Sequence, residues 1–299
     1  MPFVDIWVQR FQGNMSKFRV CAVIVAFNPE IERLHDNVSA VTKQVDELLI
    51  IDNGSENLQL YTEMLSKNNF RYCLIALGEN KGIGGALNEA ISYCVNFDIE
   101  YLLTLDQDSV ITHFLVKNLM DTIFTADNIA MVGPQILDLN VRHSPINTKI
   151  ENAFHLITSG SLCRVSHLDT VGRFNEHLFI DCVDFDMSLK LLEADYRVLR
   201  NNQITLLHEI GRKKQMMFFG MKFSLLNHPE SRVYFMVRNR LCIIHRYWNL
   251  KGYRPLTDVK HLLTRTLAML IFEDNKTAKF FATIKGFFDY LLNYKKIMK

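Results

Sequence analysis

With 299 residues, 48% of them hydrophobic and 22% charged, the chain can bury one sizeable core with or without an appendage, which excludes a disordered or fibrous protein. A net charge of +2 is too small to argue for a nucleic-acid partner. The six cysteines (Cys21, Cys73, Cys94, Cys163, Cys182 and Cys242) form no Cys-x-x-Cys pair, and several sit in apolar segments where they read as small core residues, as fits a reducing cytosol.

At the start of the chain, Arg10 follows the apolar part of residues 1–14 rather than preceding it, unlike a signal peptide, and the fold is expected to begin near Met15. Arg19 to Phe27 is a continuous β-branched run, the mark of a strand covered on both faces, and Asn28-Pro29 stops it. A helix follows over about 30–44, then a buried strand, Glu47–Ile51, ending in Asp52-Asn53-Gly54-Ser55, a sequence suited to a sharp turn. A helix over 58–66 and a strand over 70–77 lead to Gly78 through Ala86, which opens a helix reaching about Val95. Tyr101–Leu105 is a fourth strand ending in Asp106-Gln107-Asp108. A helix over 113–125 and a strand over 129–137 come next, then a polar stretch, 139–149, of the kind that closes over substrates. Beyond it, 154–162 is expected to be a strand with a Ser-Gly-Ser kink, Gly172-Arg173-Phe174 a turn, 187–192 part of a helix, and 196–207 a strand ending at His208. Long helices fill 229–248, 256–272 and 276–298. No apolar run approaches the roughly eighteen residues that span a bilayer.

Strands alternating with helices through short loops predict an α/β fold with a mostly parallel sheet and right-handed crossovers, followed by a C-terminal helical appendage. Parallel order puts Asn28, Asp52, the Asn80–Gly85 loop and the Asp106/Asp108 pair on one sheet edge, where open α/β sheets bind ligands. Two carboxylates one residue apart raise each other's pKa unless a cation lies between them. Oxygen-only ligands suit Mg2+ or Mn2+, which completes its shell with substrate phosphates.

The segments LLIIDNGS, NKGIGGALN, LLTLDQDS, TSGSL, LFIDCVDFDMSLK and YFMVRN, in this order, resemble the inverting family 2 glycosyltransferases with the GT-A fold, and within them the bacterial rhamnosyltransferases, over about 19–245. The resemblance implies a Rossmann-like GT-A domain over 15–228 and a helical region over 229–299 that associates with membrane or with another subunit. It implies that Asp52 contacts the donor nucleoside, that Asn28, Asn80, Gly82 and Arg238 shape the donor pocket, and that Asp106 and Asp108, completed by His208, hold Mg2+ or Mn2+ on the donor diphosphate. Asp184 corresponds to the general base, and Ser159 and Ser161 to the acceptor side. The expected activity is transfer of a sugar, L-rhamnose from dTDP-L-rhamnose in the favoured reading, to a lipid-linked glycan at the inner face of the cell membrane.

Alternatives stand beside these assignments. Asp184 also fits an N-cap. Asp181 and Asp186 compete with it for the base role, and Val183 and Lys190 stand where the family often has Glu and Arg. A UDP- or GDP-sugar donor keeps the same fold. Asp106-Gln-Asp108 also resembles the nucleophile motif of haloacid dehalogenase-type phosphatases, although there it lies on the first strand of the domain and here three strand–helix units precede it. Gly82-x-Gly84 lacks the third glycine of a dinucleotide fingerprint. Finally, Phe280, Phe281, Ile284, Phe287, Phe288, Leu291 and Leu292 form one apolar stripe on the last helix, fit for an anionic membrane surface or for packing on the catalytic domain or a second copy.

Overall fold

The computed structural model describes residues 18–138, 148–208, 214–218, 221–225 and 227–299. In chain order these form β1 (Val20–Ala26), α1 (Ile31–Val41), β2 (Glu47–Asp52), α2 (Leu58–Lys67), β3 (Cys73–Ala76), α3 (Gly82–Asn96), β4 (Tyr101–Asp106), α4 (Leu115–Ile123) and β5 (Ile129–Asp138). Then come β6 (Ile150–Asn152), β7 (Ser161–Arg164), α5 (Val165–Thr170), a 3-10 turn (Glu176–Leu178), α6 (Val183–Glu193), β8 (Arg197–His208), the hairpin β9 (Lys214–Phe218) and β10 (Met221–Leu225), and helices α7 (Glu230–Arg246), α8 (Pro255–Phe272) and α9 (Lys276–Ile297).

The main sheet has the order β3-β2-β1-β4-β7-β5-β8-β6. β1 pairs parallel with β2 and β4, β2 with β3, and β5 with β8, while β7 runs antiparallel between β4 and β5. The alternation of side chains explains why β1 is apolar throughout. Cys21, Val23 and Val25 point into the core closed by Ala86, Leu87, Ala90 and Ile91 of α3. Val20, Ala22, Ile24 and Ala26 point into the core closed by Leu34 and Val38 of α1 and Leu115 and Leu119 of α4. Each fully buried Val, Leu or Ile contributes about 1.5–3 kcal/mol, so these central strands are the firmest part of the molecule.

The structure corrects one expected strand. Residues 154–160 are irregular, and strand pairing is confined to the short β6 and β7 on either side. The reason is local: Gly160 adopts φ +78°, and the Ser161 hydroxyl donates to Ile157 O at 2.6 Å, offering the backbone a turn in place of a ladder. The hairpin β9–β10 was not expected from the sequence, whose Met- and Phe-rich run does not alternate. Most of the polar stretch expected to close over substrate, residues 139–147, and the expected start at Met15 lie outside the described residues.

The helices after residue 229 pack onto the α/β body. Cys242 of α7 and Ile297 of α9 belong to the same core as β1, and Ile243 of α7 and Tyr247, just past its end, pack with Phe185 and Leu189 of α6. Asn175 ties the end of α9 down by donating to Ile297 O at 2.7 Å. Among the described residues no helix is long and apolar enough to cross a membrane.

Candidate active site

The C-terminal ends of β1, β2 and β4 deliver their loops to one edge, as parallel pairing requires. Asp52, 1% exposed, ends β2 and organises the first loop: it accepts from Tyr61 Oη at 2.8 Å and from the N–H groups of Gly54 and Ser55 at 3.1 Å. Asn28 carries a left-handed backbone (φ 47°) and crosses to this loop, accepting from Glu56 N–H at 2.8 Å. Asn80 accepts from Asn53 at 3.1 Å and from Gly82 N–H at 2.9 Å, which joins the loop after β2 to the loop after β3. Gly82 has φ +74°, and a Cβ there would lie 2.6 Å from Phe179 O. Only glycine permits both that backbone and that approach. Asn28, Asp52, Asn80 and Gly82 are thus brought together, with the segment that precedes α6 laid against them.

Asp106 ends β4 half-buried and lines a cleft of about 960 Å³. Its backbone carbonyl accepts from Asn37 at 2.8 Å, which fixes the strand tip. Asp108 follows one residue on, half-buried, and Ser109 is anchored by a 2.5 Å contact between its hydroxyl and that of Ser159. β7 is antiparallel to β4 and to β5, and β8 is parallel to β5, so His208 ends its strand on the same edge as Asp106; its side chain lies outside the described residues. Among the described residues no three His, Cys, Asp or Glu side chains already gather as a metal cage. Of the Asp106/Asp108 pair, Asp106 lines the cleft and Asp108 is not among its lining residues; carboxylate oxygens at a strand tip nevertheless suit a hard divalent ion that draws its remaining ligands from substrate phosphate.

Asp184 lines the same cleft from the first turn of α6. It does not cap the helix, because Cys182 occupies the N-cap position with φ 64°. One oxygen of Asp184 lies 3.0 Å from His155 Nε2 and the other accepts from Phe185 N–H at 2.8 Å. Burial pushes its pKa up, but the charge and hydrogen bond of His155 and the Phe185 N–H outweigh that and leave it below the ordinary carboxylate value. The carboxylate is therefore ionised at neutral pH, the form a proton acceptor needs. Its competitors are committed elsewhere. Asp186 is fully buried, accepting from Tyr247 Oη at 2.8 Å and facing Lys190 Nζ at 3.2 Å, and Asp181 pairs with Arg232 at 3.1 Å.

The segment carrying Asp184 is strained, with left-handed backbones at Phe179, Asp181 and Cys182. Each costs on the order of 1–2 kcal/mol. Two residues of α7 hold it in place. The Asn239 amide donates to the carbonyls of Leu178, Ile180 and Asp181 at 2.8, 2.8 and 2.9 Å, and Arg238 donates to His177 O at 2.6 Å. Arg238, expected beside the donor, is 7% exposed and turned toward this loop, with Asp289 3.5 Å away. Ser159, in the turn before β7, and Ser161, the first residue of β7, both expected on the acceptor side, are buried, and Thr158 is the residue of that turn that lines the cleft. Sequence reading passed over His155 because it lies in the stretch expected to be a strand, with no motif around it.

The comparisons with known proteins bear on the fold and the family. The chain is 27% identical over 281 residues to the dTDP-rhamnosyl transferase RfbF of Shigella flexneri, covering 86% of this chain and 90% of that protein. Among solved structures it resembles S. aureus TarS 1–349 in complex with UDP-GlcNAc, with a TM-score of 0.59 at 15% identity over 93% of this chain and 81% of that one. It also resembles the mannosyltransferase PcManGT of Pyrobaculum calidifontis in complex with GDP-Man and Mn2+, with a TM-score of 0.59 at 12% identity over 94% of this chain and 78% of that one. At these identities the structural likeness speaks for the fold, and that fold is GT-A. The profile of glycosyl transferase family 2 matches residues 21–171, and the chain belongs to that family of glycosyltransferases.

Proposed function

We propose that the protein is an inverting glycosyltransferase that moves L-rhamnose from dTDP-L-rhamnose to a lipid-linked glycan on the way to a cell-surface polysaccharide. The observation that carries the reading is that Asp106 and the ionised Asp184 face one cleft, beside loops pinned by Asp52 and Asn80. The acceptor hydroxyl attacks the anomeric carbon, its oxygen forming the new bond as the bond to the diphosphate breaks on the opposite face. Asp184 takes the hydroxyl proton, and the nucleoside diphosphate leaves with the electron pair. Proton removal by a positioned carboxylate accelerates such a step about 10²- to 10⁴-fold. Asp106 and Asp108, with His208, are assigned to hold Mg2+ or Mn2+, which when bound supplies Lewis-acid neutralisation of the charge developing on the diphosphate.

The choice of dTDP-rhamnose rests on the likeness to RfbF. The second reading, a UDP- or GDP-sugar donor, draws on the ligands of the TarS and PcManGT structures. A thermal-unfolding panel of dTDP, UDP and GDP, each with and without Mn2+, separates them, since ligand at 100 times its Kd adds about 2.7 kcal/mol. A metal-dependent rise with dTDP and not with UDP or GDP supports the favoured donor, and a rise with GDP or UDP alone transfers the assignment to that nucleotide.

We assign catalysis to 15–228 and attachment to 229–299. The α9 stripe from Phe280 to Leu292 is solvent-exposed, and on α8 Leu256, Leu263, Leu267 and Ile271 are exposed as well. Apolar side chains at helical spacing, with Lys285, Lys295 and Lys296 exposed on the same helix, support attachment to the anionic inner face of the cell membrane.

A further inference from the structure

Beyond Asp184 the cleft is walled by α7 and α8, and four of the side chains lining it are cations: Arg232 and Arg240 at helical spacing on α7, Lys260 and Arg265 on α8. Arg232 is paired with Asp181 and Arg240 with Asp258, at 3.1 and 3.2 Å. Lys260 and Arg265 are exposed to the cleft and make no side-chain ion pair or hydrogen bond to any described residue. Asp181 and Glu273 also line this part, but they spend their charge on Arg232 and Lys279. Positive potential accumulates in consequence. Desolvation in the cleft, with Arg232 and Arg240, lowers the pKa of Arg265 against the opposing pull of Asp181 and Glu273, and desolvation, Arg232 and Arg265 lower that of His228 against the same two carboxylates.

Arg265 has no side-chain partner among the described residues, and an anion in the cleft would supply one. The donor diphosphate is a poor candidate for that anion. In an inverting displacement it leaves from the face opposite the general base, and the basic wall is built from α7 and α8, whereas the diphosphate is assigned to Asp106 at the tip of β4. The same wall also carries apolar side chains, Val233 and Met236 of α7 and Ala268 and Met269 of α8, beside His228, His261 and Thr264. Exposed Leu263 and Leu267 lie on α8 between and beside its basic positions.

We propose that this wall binds the phosphate of the acceptor, a phosphate or diphosphate ester carried on a hydrocarbon chain, with Arg265 and Lys260 as its principal contacts. The inference rests on the glycosyltransferase reading in placing the acceptor beside Asp184.

The test is a calorimetric titration of octyl phosphate, below its micelle concentration, into the full chain saturated with dTDP and Mn2+. Inorganic phosphate and neutral octyl glucoside are titrated in parallel. Octyl phosphate should bind more tightly than either. Arg265→Gln should weaken it about tenfold, the loss of one charge-assisted hydrogen bond, while Arg265→Lys keeps most of the affinity and dTDP binding is unchanged in both. Because the Arg265 side chain makes no ion pair or hydrogen bond to any described residue, the glutamine variant is expected to fold as the parent does. The proposal is overturned if octyl phosphate binds no better than octyl glucoside, or if Arg265→Gln leaves it unchanged. It is likewise overturned if dTDP affinity falls in step, which would give the guanidinium to the donor. Inorganic phosphate binding as tightly as the octyl ester would refute the lipid source. Failure of dTDP to bind would count against the donor reading alone, and octyl phosphate titrated without nucleotide would still report on the wall.

Discussion

Asn239 offers the sharpest handle on how the site is held. Its buried amide is shared by three carbonyls, those of Leu178, Ile180 and Asp181, in a segment with left-handed backbones at Phe179, Asp181 and Cys182. Asn239→Ala removes every one of those donors while leaving Arg238 on His177 O. An acceptor that loses its partner in a buried place costs on the order of 1–3 kcal/mol. Some of these carbonyls will find water, because Ile180 and Asp181 line the cleft, so the net loss should be about 2–4 kcal/mol. Urea unfolding should show a lower midpoint with an unchanged slope. With the strain released, Asp184 loses its fixed position, so kcat should fall at least about tenfold, while nucleotide affinity, set chiefly by loops that Asp52 and Asn80 pin from within, should fall by less. A stability change under about 0.5 kcal/mol, or nucleotide affinity falling as far as kcat, would refute the clamp.

Three further outcomes follow from the same geometry. His155→Ala removes the charge and the hydrogen bond that hold the Asp184 pKa down, leaving burial to raise it, so the acid limb of the pH–rate profile should move to higher pH. The sign also bears on stability: a depressed carboxylate adds stability at neutral pH that is lost as the pH falls through its folded-state pKa, and the variant should lose that contribution in urea unfolding at pH 7. Gly82→Ala must place a methyl 2.6 Å from Phe179 O at φ +74°, which should cost about 2–4 kcal/mol by urea unfolding, where an Ala substitution at exposed Gly172, which meets nothing within 4 Å, should cost less. In flotation with vesicles containing anionic lipid the chain should rise with the lipid, and Phe281→Asp with Phe288→Asp should leave it at the bottom; a discrete dimer that ignores vesicles would assign the stripe to a second copy instead.

Much of the framework was legible because β1, β2 and β4 are buried on both faces and so carry unbroken apolar runs that end abruptly in Asn28, Asp52 and Asp106. The order of those tips along the edge follows from parallel pairing, which short strand–helix alternation already implied. Reading failed where the chain left that pattern. β7 is four residues long and antiparallel, too short to show a period, and the turn before it is set by the Ser161–Ile157 bond and the φ of Gly160 rather than by hydrophobicity. The partnership of His155 with Asp184 joins an irregular segment to a helix start, and no spacing in the sequence announces it. The hold of Arg238 and Asn239 on the loop before Asp184 reaches across about 60 residues, so their place on a helix gave no sign of which carbonyls they serve.

The central claim is that the Asp106/Asp108 pair retains a divalent ion when the nucleotide is present. Electron paramagnetic resonance of Mn2+ titrated with the protein, with and without dTDP, reads this directly, because free Mn2+ gives a sharp signal that binding broadens. The account predicts that dTDP and protein together remove far more of the free signal than dTDP with Asp108→Ala at the same concentrations. Equal loss of signal with the variant, at matched folding, would contradict it.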